Sequence, residues 1–314
     1  MSYLSMSLRG MVPFAPLQWT ALASLAISTA GCATAPLERA GSLKNYDRLA
    51  DANGLVTRAQ IKANKKELLE AKTVRIEPTA FSSRADVGFD ETERKLVANA
   101  ISREMCLRLS ERFQVVAPGE DADLIIKATV THATATNATA SAASQAASIA
   151  KTVALPGVPV PVPRLPVGLG TLSVEAEARD FAGFQEAAMV WARAANSVST
   201  ARMANDGDAY DLAGEFGADF AKLVSTGESP FSGVASFTSL PSVSSVPAKL
   251  GGAPKYAACE QFGRFPGLKG FVGAGLGLPP GWTDKGADEA KSGLKPAAPE
   301  SAPEVASMEL QPSR

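Results

Sequence analysis

The chain predicts an α+β fold ordered strand, helix, four strands, helix, with the helices packed on one face of a mainly antiparallel sheet. Three observations carry that reading. Two segments place apolar residues at every third or fourth position, and several shorter ones alternate apolar with polar. Gly and Pro punctuate the joints between them.

Lys72-Thr73-Val74-Arg75-Ile76-Glu77 alternates and stops at Pro78, the pattern of a half-buried strand. Asp90 then stands three residues before Glu93, which reads as a capping box. Behind it, Val97, Ile101, Met105, Leu109 and Phe113 recur every fourth residue, an amphipathic helix. Its Arg94, Lys95, Arg103, Arg108 and Arg112 are expected largely in solvent. Gln114–Ala117 is a short strand closed by Pro118-Gly119.

Leu124, Ile126, Ala128 and Val130 alternate with Ile125, Lys127, Thr129 and Thr131. Leu172, Val174, Ala176 and Ala178 do the same against Ser173, Glu175, Glu177 and Arg179. A turn at Ala182-Gly183 leads into a strand over 186–198, completing a hairpin. The last helix follows, with Ala209, Leu212, Phe216, Phe220 and Leu223 at 3–4 spacing behind Asp206 and Asp208, either of which suits a cap. Two inserts interrupt this order. Residues 133–152 are Ala, Ser and Thr with little else, a weak helix ending near Leu155. Residues 155–168 repeat Pro so often that only extended chain is available.

The ends differ from the middle. Residues 1–31 carry one cation, Arg9, and an apolar run richest at Ala21–Ile27. Pro13, Pro16 and Gln18 break that run, and small residues precede Cys32, so it reads as a cleaved signal. Residues 32–45 read as a tether and 46–225 as the folded domain. Residues 226–314 hold 13 of the 26 glycines and 11 of the 21 prolines, and are expected to form a largely disordered tail.

Thr29-Ala30-Gly31-Cys32 resembles a bacterial lipobox, which implies diacylglycerol on the Cys32 thiol and cleavage before it. Ala33 rather than Asp after the cysteine resembles the outer-membrane form of that signal. Several acyl chains at Cys32 would be needed for a lasting anchor. Taken with Gly41–Leu49, the strand Thr73–Pro78, the helix through Leu96 and the Ala122-Asp123-Leu124 strand, the chain resembles a proteobacterial lipoprotein family, domain of unknown function 3313. The Gly170–Asp180 strand and the final helix keep that family's order, over about 40–225. The resemblance implies location and fold, and brings no reaction with it.

Candidate chemistry is sparse. The chain of 314 residues has Lys+Arg 31 against Asp+Glu 32, so no nucleic-acid partner is expected. One histidine, His132, and three cysteines exclude His-rich or Cys-rich metal sites. His132 falls on the apolar parity of its strand and reads as structural. Asp206, Asp208 and Asp211 are spaced somewhat like calcium ligands, but Asp211 and Gly217 stand where the loop wants Gly and Glu, so helix capping is the better reading. Gly273-Ala274-Gly275-Leu276-Gly277 meets Pro279-Pro280 instead of a helix start, so no dinucleotide loop is expected. Glu175 and Glu177 lie on a polar, solvated strand face. Cys106 and Cys259 form an even pair, bridged or separate according to geometry the sequence does not give.

These features point to a non-enzymatic accessory lipoprotein without cofactor or metal. It would be held through Cys32 to the outer membrane, facing the periplasm, with an envelope protein as partner. An oligomeric pore or secretion subunit is the first alternative, built on the Ala/Ser/Thr and Val-Pro inserts. An envelope-polymer hydrolase using Glu175 and Glu177 is the second.

Overall fold

A computed structural model describes residues 35–85, 88–154, 164, 168–196, 202–232 and 245–285. Its strands are β1 (Ala50–Asp51), β2 (Thr57–Ala63), β3 (Thr73–Ile76), β4 (Ala80–Phe81), β5 (Gln114–Val115), β6 (Leu124–Thr134), β7 (Thr171–Arg179) and β8 (Gln185–Ala194). The helices are α1 (Lys65–Glu70), α2 (Glu91–Leu109), α3 (Ala138–Ala154), α4 (Gly207–Thr226), α5 (Val246–Lys249), α6 (Gly267–Gly275) and α7 (Pro280–Thr283), with a 3-10 turn at Ala257–Phe262. The α+β class and mainly antiparallel sheet agree with the sequence.

The sheet runs β1-β2-β8-β7-β6-β3-β5, and β4 also pairs with β6. Pairs from β1 through β6 are antiparallel, while β3, β4 and β5 join in parallel. The β7–β8 hairpin turns over Asp180–Phe184, where Gly183 takes φ 83°, a conformation that suits residues without a Cβ.

The two longest helices, α2 and α4, cover one face. The α2 start carries the expected capping box: Glu93 N donates to Asp90 Oδ1 at 2.8 Å and Asp90 N to Glu93 Oε2 at 2.9 Å. α4 ends on Gly227 at φ 66°, the left-handed cap. The helices run side by side in the same direction, Gly217 against Ile101 and Glu104, and Arg112 Nη1 on the Ser225 carbonyl. A Cβ at Gly217 would stand 2.8 Å from Glu104 Cβ, so this close crossing requires glycine. Beneath them, Trp191 meets Phe216 edge-on at 5.6 Å, and its Nε1 donates to Asp219.

Several expectations are corrected. β2 and α1 stand in a stretch where no element was expected. Residues 32–45 do not form a free tether throughout, because Ala35 and Leu43 are buried. Arg103 is not solvated, at 4% exposure, because residues 245–285 fold over the outward side of α2. That region, expected as disordered tail, carries α5, the 3-10 turn, α6 and α7. The weak helix in the Ala-rich insert is α3. All but Arg164 and Gly168 of the Pro-rich run at 155–168 lie outside the described residues.

Candidate functional site

The outer face of the sheet, opposite the helices, is covered by residues 35–49. Ser173, Glu175 and Glu177 alternate onto this face of β7. Ser173 Oγ donates to the Pro36 carbonyl at 2.6 Å. Ser42 donates to Glu175 Oε1 twice, from N at 2.7 Å and from Oγ at 2.6 Å, while the Tyr46 hydroxyl donates to Oε2 at 2.7 Å. Lys44 N and Gln185 Nε2 both donate to Glu177 Oε2 at 2.8 Å, and Arg179 pairs with the other oxygen. Leu43 packs on Ala188 and Val190 beside Leu37, Tyr46 and Leu49.

Glu175 and Glu177 are therefore 0% and 1% exposed, against the expected solvated face. Alternation of polar residues does not distinguish a wet face from one that another segment covers. A buried carboxylate must be hydrogen-bonded, and these two are satisfied by the chain's own donors. Burial, and then the bond to Glu175, push the Tyr46 phenol up to about 12.

The helical layer has its own cover. Cys106 on α2 is bridged to Cys259 in the 3-10 turn, with S–S 1.99 Å and Cα–Cα 5.8 Å. Around that staple, Arg103 Nη2 meets Asp284 Oδ2 at 2.5 Å and the Tyr210 hydroxyl at 3.0 Å, and Tyr210 donates to Asp284 at 2.6 Å. Burial opposes the Arg103 charge, yet the Tyr210 and Asp284 oxygens outweigh it and raise its pKa. Tyr210 is likewise raised, first by burial. Lys249 Nζ reaches Glu104 Oε2 at 2.5 Å and Lys255 Nζ the Ser110 carbonyl at 2.8 Å.

Between this cover and the long helices lies an open groove of about 590 Å³. Tyr210, Arg202, Asp211 and Lys249 stand on its polar side, Leu250, Leu268 and Phe271 on its apolar side. The sequence signals for this unit are Cys259, Phe262 and Asp284, isolated among Gly and Pro and without a period.

The remaining candidates disperse. The pairing of β6 slips by one residue between Val130 and His132, so His132 leaves the core parity and turns to the outer face. There its Nδ1 lies 3.3 Å from Glu38, and Ala133 takes the core position. Asp208 and Asp211 do not cap α4. Asp208 is clamped by both terminal nitrogens of Arg164, at 2.7 and 3.1 Å, and accepts from Gly170 N. Asp211 pairs with Arg202 at 2.7 Å. Asp206 is the helix's first flanking residue without a side-chain cap bond, and burial followed by the nearby Glu93 pushes it up to about 6.

Gly273 and Gly275 close α6 rather than open a helix, and Gly277 follows at φ 71°. A phosphate loop needs the reverse arrangement. Among the described residues no group of three or more His, Cys, Asp or Glu suits a metal, and no helix is long and apolar enough to cross a membrane. Cys32 lies outside the described residues.

Distant folds resemble this one weakly. A PelC dodecamer from Paraburkholderia phytofirmans aligns at 12% identity and TM-score 0.33, over 54% of this chain and 96% of that one. A DUF4136 family protein from Bacteroides thetaiotaomicron aligns at 12% identity and TM-score 0.28, over 54% of this chain and 97% of that one. Likeness at that level says nothing of function. No curated protein matches the sequence. The family model for a protein of unknown function, DUF3313, does match, over residues 38–220. Those bounds take in most of the outer-face cover, every described strand and α4 as far as Phe220, so the chain belongs to the DUF3313 family.

Proposed function

We propose that this protein is a lipid-anchored, non-enzymatic accessory domain of the cell envelope, tethered through Cys32 to the outer membrane and facing the periplasm. One observation carries the reading: from Ala35 onward, close behind Cys32 in sequence, the chain is part of the fold. Ala35 is buried and the Pro36 carbonyl is bonded to β7. Only Ala33 and Thr34 separate Cys32 from Ala35, and the three steps span at most about 10 Å of extended chain. An acyl group there would hold the domain against the lipid surface instead of letting it roam on a leash. A bridged cysteine pair suits an oxidising compartment, which supports the same location. Glu175 and Glu177, the carboxylates that the sequence offers for hydrolysis, are occupied by donors of the chain itself, which supports a binding or scaffolding role for an envelope protein partner.

Labelling cells with a fatty-acid analogue tests the anchor. The native chain should take up label and fractionate with outer membrane, and Cys32→Ser should lose both. Equal labelling of Cys32→Ser removes the proposal. A pulldown from detergent-solubilised envelope tests the partner, and recovery of the bait alone counts against it.

A further inference from the structure

Residues 245–285 expose apolar side chains that a folded domain normally hides. Phe271 is 80% exposed, Trp282 68%, Leu268 66%, and Leu276 and Val272 are close behind. They come from α6 and α7, which pack together through Gly273 against Thr283. Their common base is rigid, fixed by the Cys106–Cys259 bridge and the Arg103–Asp284 pair.

The position of this patch matters. Met203 N donates to the Gly277 carbonyl, and Gly281 rests on Leu96 near the start of α2. Thr136 N reaches the Asn205 carbonyl and Gly170 N reaches Asp208, which puts the start of α4 beside the end of β6 and the start of β7. Pro36 is bonded to Ser173, three residues beyond Gly170. The patch and the residues next to Cys32 therefore stand at the same end of the domain. The charge of the segment suits that end as well. Lys269 lies on α6 beside Leu268 and Lys285 follows α7, while Lys249 is paired with Glu104, Arg264 with Glu260, and Asp284 is buried in its own ion pair, so the charge left next to the patch is positive.

We infer that the apolar face of α6 and α7 is a second membrane contact, seated in the interfacial layer of a phospholipid bilayer with anionic headgroups. The inference rests on the anchor proposed above. Trp, Phe and Leu flanked by Lys are the residues that partition to this layer. Acylation confines the domain near lipid, and the patch fixes which way it faces.

Trp282 is a native reporter, because Trp191 is fully buried and Trp19 lies in the segment removed with the signal. The processed full chain is reconstituted on phosphatidylethanolamine–phosphatidylglycerol vesicles carrying brominated acyl chains. Flotation reads the anchor, and loss of tryptophan emission reads the patch. Wild type should float with most of its Trp282 emission quenched. The double variant Leu268→Ser with Phe271→Ser should still float but lose most of that quenching, and W282F should show almost none. Both substitutions fall on exposed positions and leave the core intact. Flotation of wild type without quenching overturns the patch and spares the anchor. A chain made without residues 1–31 and carrying Cys32→Ser, hence without acyl groups and without Trp19, should float far less than wild type, and flotation and quenching equal to wild type in it overturn the anchor and spare the patch. Crosslinked dimers through Trp282 with no bromine quenching assign the face to a second copy and overturn the inference.

Discussion

Two covers shield the two faces of this domain, and they are held by opposite means. Residues 35–49 lie on the outer face through uncharged donors, Ser42 and Tyr46, aimed at a buried carboxylate. Residues 245–285 lie on the helical face through a covalent bridge and a buried ion pair. The first can be shed by losing hydrogen bonds one at a time. The second stays attached until a bond is reduced. The difference teaches that apolar area alone holds neither cover in place: one contributes Leu43 as its buried anchor, the other chiefly Phe262 and Cys259.

The largest effect should come from the bridge. It closes a separation of 153 residues, and chain entropy for such a loop gives about 5 kcal/mol as an upper figure. Replacing Cys106 and Cys259 by Ser should lower Tm sharply and expose residues 245–285 to protease, while amides under residues 35–49 keep their exchange protection. Equal loss of protection on both faces would show the covers to be coupled.

Next comes Asp284→Ala, which leaves the Arg103 guanidinium buried without its carboxylate. Removing one partner of such a pair costs about 3–5 kcal/mol. Denaturant unfolding should show the loss, and Asp284→Asn, which retains an acceptor for Tyr210, should lose less. Glu175→Ala should be milder, about 1–3 kcal/mol, since three donors lose one acceptor but lie near enough to the surface to find water. Hydrogen exchange over residues 36–46 should speed up while the bridge-held cover is unchanged.

The smallest effect is a pH slope. Asp219 is pushed up to about 6 by burial, against the Trp191 bond and Arg193 that pull it down. Its folded pKa lies above the unfolded value, so between the two the native state binds more protons. Stability from this group therefore falls as pH rises from about 4 to 6 and gains nothing above that. Asp219→Asn, which still accepts from Trp191, should flatten this part of the stability–pH curve by about 1 kcal/mol or less after solvent screening.

Much of the helical layer was legible in the residues. The capping box at Asp90 and Glu93 and the 3–4 spacing through Phe220 depend only on neighbours within one or two turns. The strand β2 also carries a signal, Thr57, Ala59, Ile61 and Ala63 against Arg58, Gln60 and Lys62, but its small side chains make the alternation faint. What stayed hidden was non-local. The polar parity of Glu175 and Glu177 is the same whether water or residues 35–49 cover it. A one-residue slip at Thr131 reverses the side of His132 without leaving a trace in composition. The pairing of Cys106 with Cys259 is a matter of distance in space. Short helices such as α5 and α7 are too brief for any period to show.

The sheet ends on β1 and β5, each only two residues long. Unpaired edge strands are templates for adding another chain's backbone, and brevity is one way to blunt them. Long-strand augmentation between copies is thus blocked at both margins, although β2, β8, β7 and β6 are long enough to propagate it. Such a domain can be crowded with its own kind without zipping into continuous ribbons, and contact among neighbours is left to side chains on its faces.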